Sequence, residues 1–159
     1  MSNTLTYSVL AVSVLSFFCL MSRMDFIVHN LLYSYGLRFS YEWANVYWAT
    51  YSSLFVVFSM IMGATYWLAS NRNAKDKRVS LAIIATVNVL VIGGLQDIMF
   101  FVFWSGGLPP NNIVWWWVPW NSLFGTWNSF KQVIAAGVSV LITAVLWMQI
   151  VGARTHVLD

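Results

Sequence analysis

The chain has 159 residues, of which 8% are charged and 60% hydrophobic, with a mean hydropathy of +0.71. An ordinary soluble domain carries roughly 25% charge, and disordered chains are rich in charge and poor in aromatics, so both classes are excluded and a membrane protein is indicated. The net charge of +3 is too small and thinly spread for a nucleic-acid partner, and the one cysteine, Cys19, can form no intrachain disulfide.

Uncharged runs mark the membrane segments, since a span needs about 20 apolar residues. Met1 to Ser22 has no charged side chain, which predicts a first helix over 4–22. It lacks the basic start and small-residue cleavage site of a secretory leader, so it reads as a retained helix. Arg23 to Tyr41 then reads as a connection holding a short interfacial helix, Met24 to Tyr33, stopped by Gly36. The uncharged run from Trp43 to Asn71 predicts a second helix over 42–70, with Ser40 as its N-cap and Glu42 in the first turn, where the helix dipole favours an acid.

The charged stretch Asn71 to Arg78 separates this helix from a third, expected over 79–104. The long connection that follows, Ser105 to about Asn128, must turn at Gly107-Leu108-Pro109-Pro110-Asn111-Asn112, because Pro-Pro cannot continue a helix. Pro119 and Asn121-Ser122 suggest a new helix start leading into a fourth span over 129–153. The expected fold is therefore all-α: a single-domain integral membrane four-helix bundle with a Trp-rich extracytoplasmic loop.

Basic residues set the orientation. Arg72, Lys75, Lys77, Arg78 and Arg154 fall on one side, against Arg23, Arg38 and Lys131 on the other. Both termini are expected in the cytoplasm of a multi-pass cell-membrane protein. The outer half then holds three acids and three bases: Asp25, Glu42 and Asp97 with Arg23, Arg38 and Lys131.

Asp97 is the prominent residue of that group. It is expected about 10 Å deep along its helix, where an unpaired carboxylate costs several kcal/mol. Gly93, Gly94 and Gln96 precede it, and Asn88 adds a mid-helix polar group. Its bland reading is an ion pair with Lys131 or an arginine; its functional reading is a ligand, proton or metal site. Asp25 and His29, spaced i, i+4, would share a helical face. Asp25, His29, Glu42 and Asp97 could together suit a transition metal such as Zn, Mn or Fe. Cys19, Met21, Met24 and Met99 lie at similar depth and would suit copper, although methionines more often serve packing.

Six of the ten tryptophans fall between Trp104 and Trp127. Trp115, Trp116, Trp117, Trp120 and Trp127 read as a headgroup-level anchor, a lid over the outer polar group, or a contact surface for another subunit. No phosphate-loop, nucleophile-elbow, zincin or C-x-x-C motif is present. A bis-histidine haem is disfavoured, because His29 and His156 fall on opposite sides.

No cofactor is required by these residues and no catalytic activity of the chain's own is expected. The expected partners are the bilayer and other membrane subunits or further copies. The first functional expectation is a small subunit packed within a larger complex of the respiratory or metal-dependent oxidase/monooxygenase type. The alternative is an outward-facing site for a metal or small cation at Asp25, His29, Glu42 and Asp97, for binding or transport. A basic-loop scaffold acting at anionic lipid through Arg72 to Arg78 ranks last, because topology alone explains those charges.

Overall fold

The computed structural model describes residues 3–37 and 40–152. Among them every regular element is helical: α1 (Asn3–Ser34), α2 (Tyr41–Ala69), α3 (Ala74–Ile92), α4 (Leu95–Met99) running into a π-helical turn (Phe100–Trp104), α5 (Trp120–Phe124) and α6 (Ser129–Gly152). Three helices are long and apolar enough to cross a membrane: Leu5–Ser34, Trp43–Ala69 and Ser129–Ile150. A fourth crossing results if α3 and the α4–π segment, bent at a short break, count as one span. Arg38, Arg154, His156 and Asp159 lie outside the described residues.

α1 overturns the first boundary. It does not stop at residue 22 but runs on through the supposed interfacial helix as one continuous rod. The charged residues that suggested an end are accommodated within it. Arg23 lays its guanidinium over two rings, 4.8 Å from the centroid of Trp104 and 5.4 Å from that of Phe26. Asp25 is buried and ion-paired. Gly36 ends the helix as expected, at φ +70°, with Leu37 N–H donating to Leu32 C=O and Gly36 N–H to Tyr33 C=O. That pair of bonds is a Schellman motif.

α2 begins behind Ser40, whose hydroxyl accepts from Trp43 N–H at 3.3 Å and whose carbonyl accepts from Ala44 N–H at 2.9 Å. α3 starts five residues before its expected position. Asn73 caps it, accepting from Asp76 N–H at 2.9 Å, while the Asp76 carboxylate accepts from Asn73 N–H at 3.4 Å. This capping box carries the charged stretch into the first turns of the helix rather than leaving it as a connection.

The expected third helix is not continuous. It breaks at Gly93–Gly94, and Gly94 sits at φ +75°. A Cβ there would collide with Gln132 Nε2, so both the backbone conformation and the close approach of Gln132 favour glycine. The chain resumes as α4, then widens into the π turn, closed by Ser105 N–H donating to Phe100 C=O at 3.1 Å. The new helix expected after Pro119 does form, but only as the five-residue α5, and it ends before α6 begins.

The chain falls into two compact units, one comprising Met1–Ala44 and Gly94–Val133, the other Asn45–Gly93 and Ile134–Asp159. In the second unit, polar groups join helices at intervals. Ser80 donates to Gly63 C=O at 2.8 Å, Asn88 to Ser59 at 3.0 Å, and Trp147 to Thr86 at 2.8 Å. Small residues bring the backbones close enough for such bonds, a recurrent way of joining helices in lipid. Asn88 is thereby accounted for as a packing residue.

The first unit joins α1 to α4 and the π turn, and folds the aromatic connection against itself. Trp115 N–H donates to Trp127 C=O at 2.8 Å, Ser129 to Pro109 C=O at 2.5 Å, and Asn128 to Asn111 C=O at 3.0 Å. Trp115 is wholly buried, stacked on Trp117 at 5.5 Å and against Phe101 at 4.9 Å.

Candidate functional site

Ser22, Asp25 and His29 fall at i, i+3 and i+7 on α1, which sets them along one face of the helix. Within the first unit that face meets α4 and the π turn. Trp104 Nε1 donates to the Ser22 hydroxyl at 2.9 Å, and Ser22 in turn donates to Cys19 C=O. Gln96 Nε2 donates to Asp25 Oδ2 at 2.9 Å. His29 Nδ1 lies 3.0 Å from both Asp25 Oδ1 and Asp25 C=O. Since both are acceptors, Nδ1 carries the hydrogen. The His29 ring packs edge-on against Phe100, with centroids 5.5 Å apart. Each oxygen of the Asp25 carboxylate thus meets a donor, one from its own helix and one from α4.

Asp97 follows Gln96 on the same short helix and is 7% exposed. Its Oδ2 lies 3.3 Å from where a Cβ on Gly94 would stand, which puts the carboxylate beside the start of α4. The charged groups that act on Asp97 are Asp25 and His29. The expected ion pair with Lys131 or an arginine is not formed among the described residues. Lys131 Nζ donates to Thr126 C=O at 2.6 Å, and Arg23 is held over its two rings. Arg38 lies outside the described residues.

A second buried amide completes the surroundings. Gln132, with no exposed surface, donates from Nε2 to Gly94 C=O at 3.2 Å and accepts from Trp127 Nε1 at 2.5 Å. Gln96 is 3% exposed; its Oε1, beside the Asp25 contact made by its own amide nitrogen, has no hydrogen-bond partner.

The structure gathers Asp25, His29 and Asp97 into one region, of which helical spacing anticipated the first two. Glu42 belongs to α2, but its side chain lies outside the described residues. No group of three or more His, Cys, Asp or Glu side chains is arranged to hold a metal ion among the described residues, Cys19 included. Sequence reasoning missed Ser22, Trp104, Gln132 and the role of Gln96. The period of Ser22, Asp25 and His29 was a usable signal for the first; the others depend on the break at Gly94.

The aromatic set divides. Trp115 and Trp127 are buried within the chain, so they serve its own packing rather than an outer contact. Trp116 is 39% exposed, while Trp117 and Trp120 are partly so. No protein family matches the chain, and no curated protein or solved structure does either.

Proposed function

We propose that this is a multi-pass membrane protein, built as a four-span helical bundle, that binds a small cation on its outward side at the centre formed by Asp25, His29, Gln96 and Asp97. The observation that carries this reading is Asp97. It is a buried carboxylate whose charged neighbours are the Asp25–His29 pair, with no lysine or arginine engaging it among the described residues. Burying an acid without a partner costs several kcal/mol, and intramembrane acids tend to mark ion or ligand sites for this reason. Purified protein, challenged with a panel of cations in equilibrium dialysis, tests it. Saturable uptake by the wild type that falls in Asp97→Asn supports the reading; no saturable uptake of any cation ends it.

A second reading, a small subunit within a larger membrane assembly, is favoured by the surface of the aromatic connection. Ile113, Val114, Trp116, Leu123 and Phe124 are all exposed there, a concentration of apolar groups of the kind that marks contact surfaces. Mild extraction from native membranes followed by native electrophoresis tests it; a lone 18.1 kDa species would rule it out.

A further inference from the structure

Independently of the cation site, and resting only on the membrane-spanning reading, we propose that Arg23 binds the phosphodiester of a membrane phospholipid whose acyl chains lie on Leu20, Met24, Ile27 and Phe103. The proposal begins with an unmet charge. Arg23 is exposed, and its guanidinium lies over the rings of Trp104 and Phe26. It has no ion pair or hydrogen bond among the described residues. The described acids are engaged elsewhere. Asp25 holds His29 and Gln96, Asp76 closes the cap of α3, and Asp97 is buried with Asp25 and His29 as its charged neighbours. A cation–π contact steadies the positive charge but gives the five guanidinium N–H donors no acceptor. An arginine left so in an apolar helix needs an anion from outside the chain.

The surroundings select the class of anion. Leu20, Arg23, Met24 and Ile27 fall at i−3, i, i+1 and i+4, on one face of α1, and all are exposed. Phe103, next to Trp104 in the π turn, is exposed as well. One cation framed by apolar groups matches an amphiphile that joins one anionic group to hydrocarbon, whereas free phosphate would use the charge alone. Depth agrees. From Leu5, where the apolar stretch begins, to Arg23 is about 27 Å along the helix at 1.5 Å per residue, close to the roughly 30 Å of the hydrocarbon layer. With Leu5 at one edge of that layer, Arg23 reaches the other, where the phosphates begin. Trp104 favours the same level, since indoles collect there. Its Nε1 is fixed on the Ser22 hydroxyl at 2.9 Å. A guanidinium resting on a fixed ring loses less freedom when it forks onto a phosphate.

The test is native mass spectrometry of the full chain in micelles, titrated with phosphatidylglycerol. The wild type is expected to retain one lipid per chain, and Arg23→Gln to weaken that retention about tenfold, the loss of a charge-assisted pair. Arg23→Lys, which keeps the charge without the fork, should lose part of it. Diacylglycerol with the same chains but no phosphate should bind no better to the wild type than to Arg23→Gln. Circular dichroism selects folded variants. Phosphatidylglycerol retention unchanged in folded Arg23→Gln, or equalled by diacylglycerol in the wild type, would overturn the phosphate assignment. Full displacement of the lipid by equimolar inorganic phosphate would overturn the lipid assignment and leave a bare anion site. A photo-reactive benzophenone side chain in place of Ile27 should mark lipid in native membranes; capture of a protein there would give this face to another subunit and overturn the proposal. Release of the chain from membranes by alkaline carbonate would defeat the membrane-spanning reading together with this inference.

Discussion

Replacing Gly94 with alanine should cost far more than the same change at Gly36, although both glycines have nearly the same backbone, φ +75° and +70°. Placing an alanine in the left-handed region costs about 1–2 kcal/mol at either position. At Gly36 nothing lies within 4 Å of the added Cβ, so that penalty is the whole effect. At Gly94 the Cβ would collide with Gln132 Nε2 and lie 2.7 Å from its Cδ. The amide must move, losing its bond to Gly94 C=O and straining the one from Trp127. Stranding a buried amide adds roughly 1–3 kcal/mol, for a total of about 2–5 kcal/mol. Unfolding in mixed micelles by increasing denaturing detergent, followed by tryptophan fluorescence, measures both variants. A double-mutant cycle with Gln132→Ala isolates the collision: in that background Gly94→Ala should fall to the Gly36→Ala cost. Equal costs at Gly94 with and without Gln132 would refute the crowding argument. A cost below about 1 kcal/mol would refute the conformational one as well.

Other consequences can be read from single bonds. Asn73→Ala removes the cap of α3 and should destabilise by about 1 kcal/mol in the same assay, with Asn73→Asp nearly neutral. Trp147→Phe deletes the hydrogen bond to Thr86 and should cost about 0.5–1.5 kcal/mol, partly recovered when Thr86 is changed to valine. Trp104→Phe should loosen the α1 face twice over, through Ser22 and through Arg23; slower proteolysis than in the wild type would contradict this.

Helices α2 and α6 were legible, since the bounds expected from long apolar runs, 42–70 and 129–153, match them to within one residue. The ends of α1 and α3 were not, since charge was read there as a boundary. Arg23 and Asp25 stay inside a helix because aromatic rings and a cross-helix amide receive them, and those partners are distant in sequence. The charged start of α3 carried its own local signal, the Asn73–Asp76 spacing, which an apolar-run count ignores. Asp25 with His29 could be foreseen from helical spacing alone. The placement of Gln96 and Asp97 could not, because Gly94 takes a left-handed conformation and α4 begins on a new phase. Tryptophan count anticipated an aromatic connection; it could not say that Trp115 would be its buried centre.

The length of α1 has a bearing on where water can reach. The apolar stretch Leu5–Ser34 is 30 residues, about 45 Å at 1.5 Å per residue, against a hydrocarbon layer of about 30 Å. Tilting alone would need close to 50°, steeper than the 0–40° that such helices adopt. The surplus must stand clear of the acyl chains, and if the N-terminal end is seated in lipid, that surplus is the stretch bearing Asp25 and His29. The acid–histidine pair is then berthed at the headgroup shoreline, where water can share in solvating its charges.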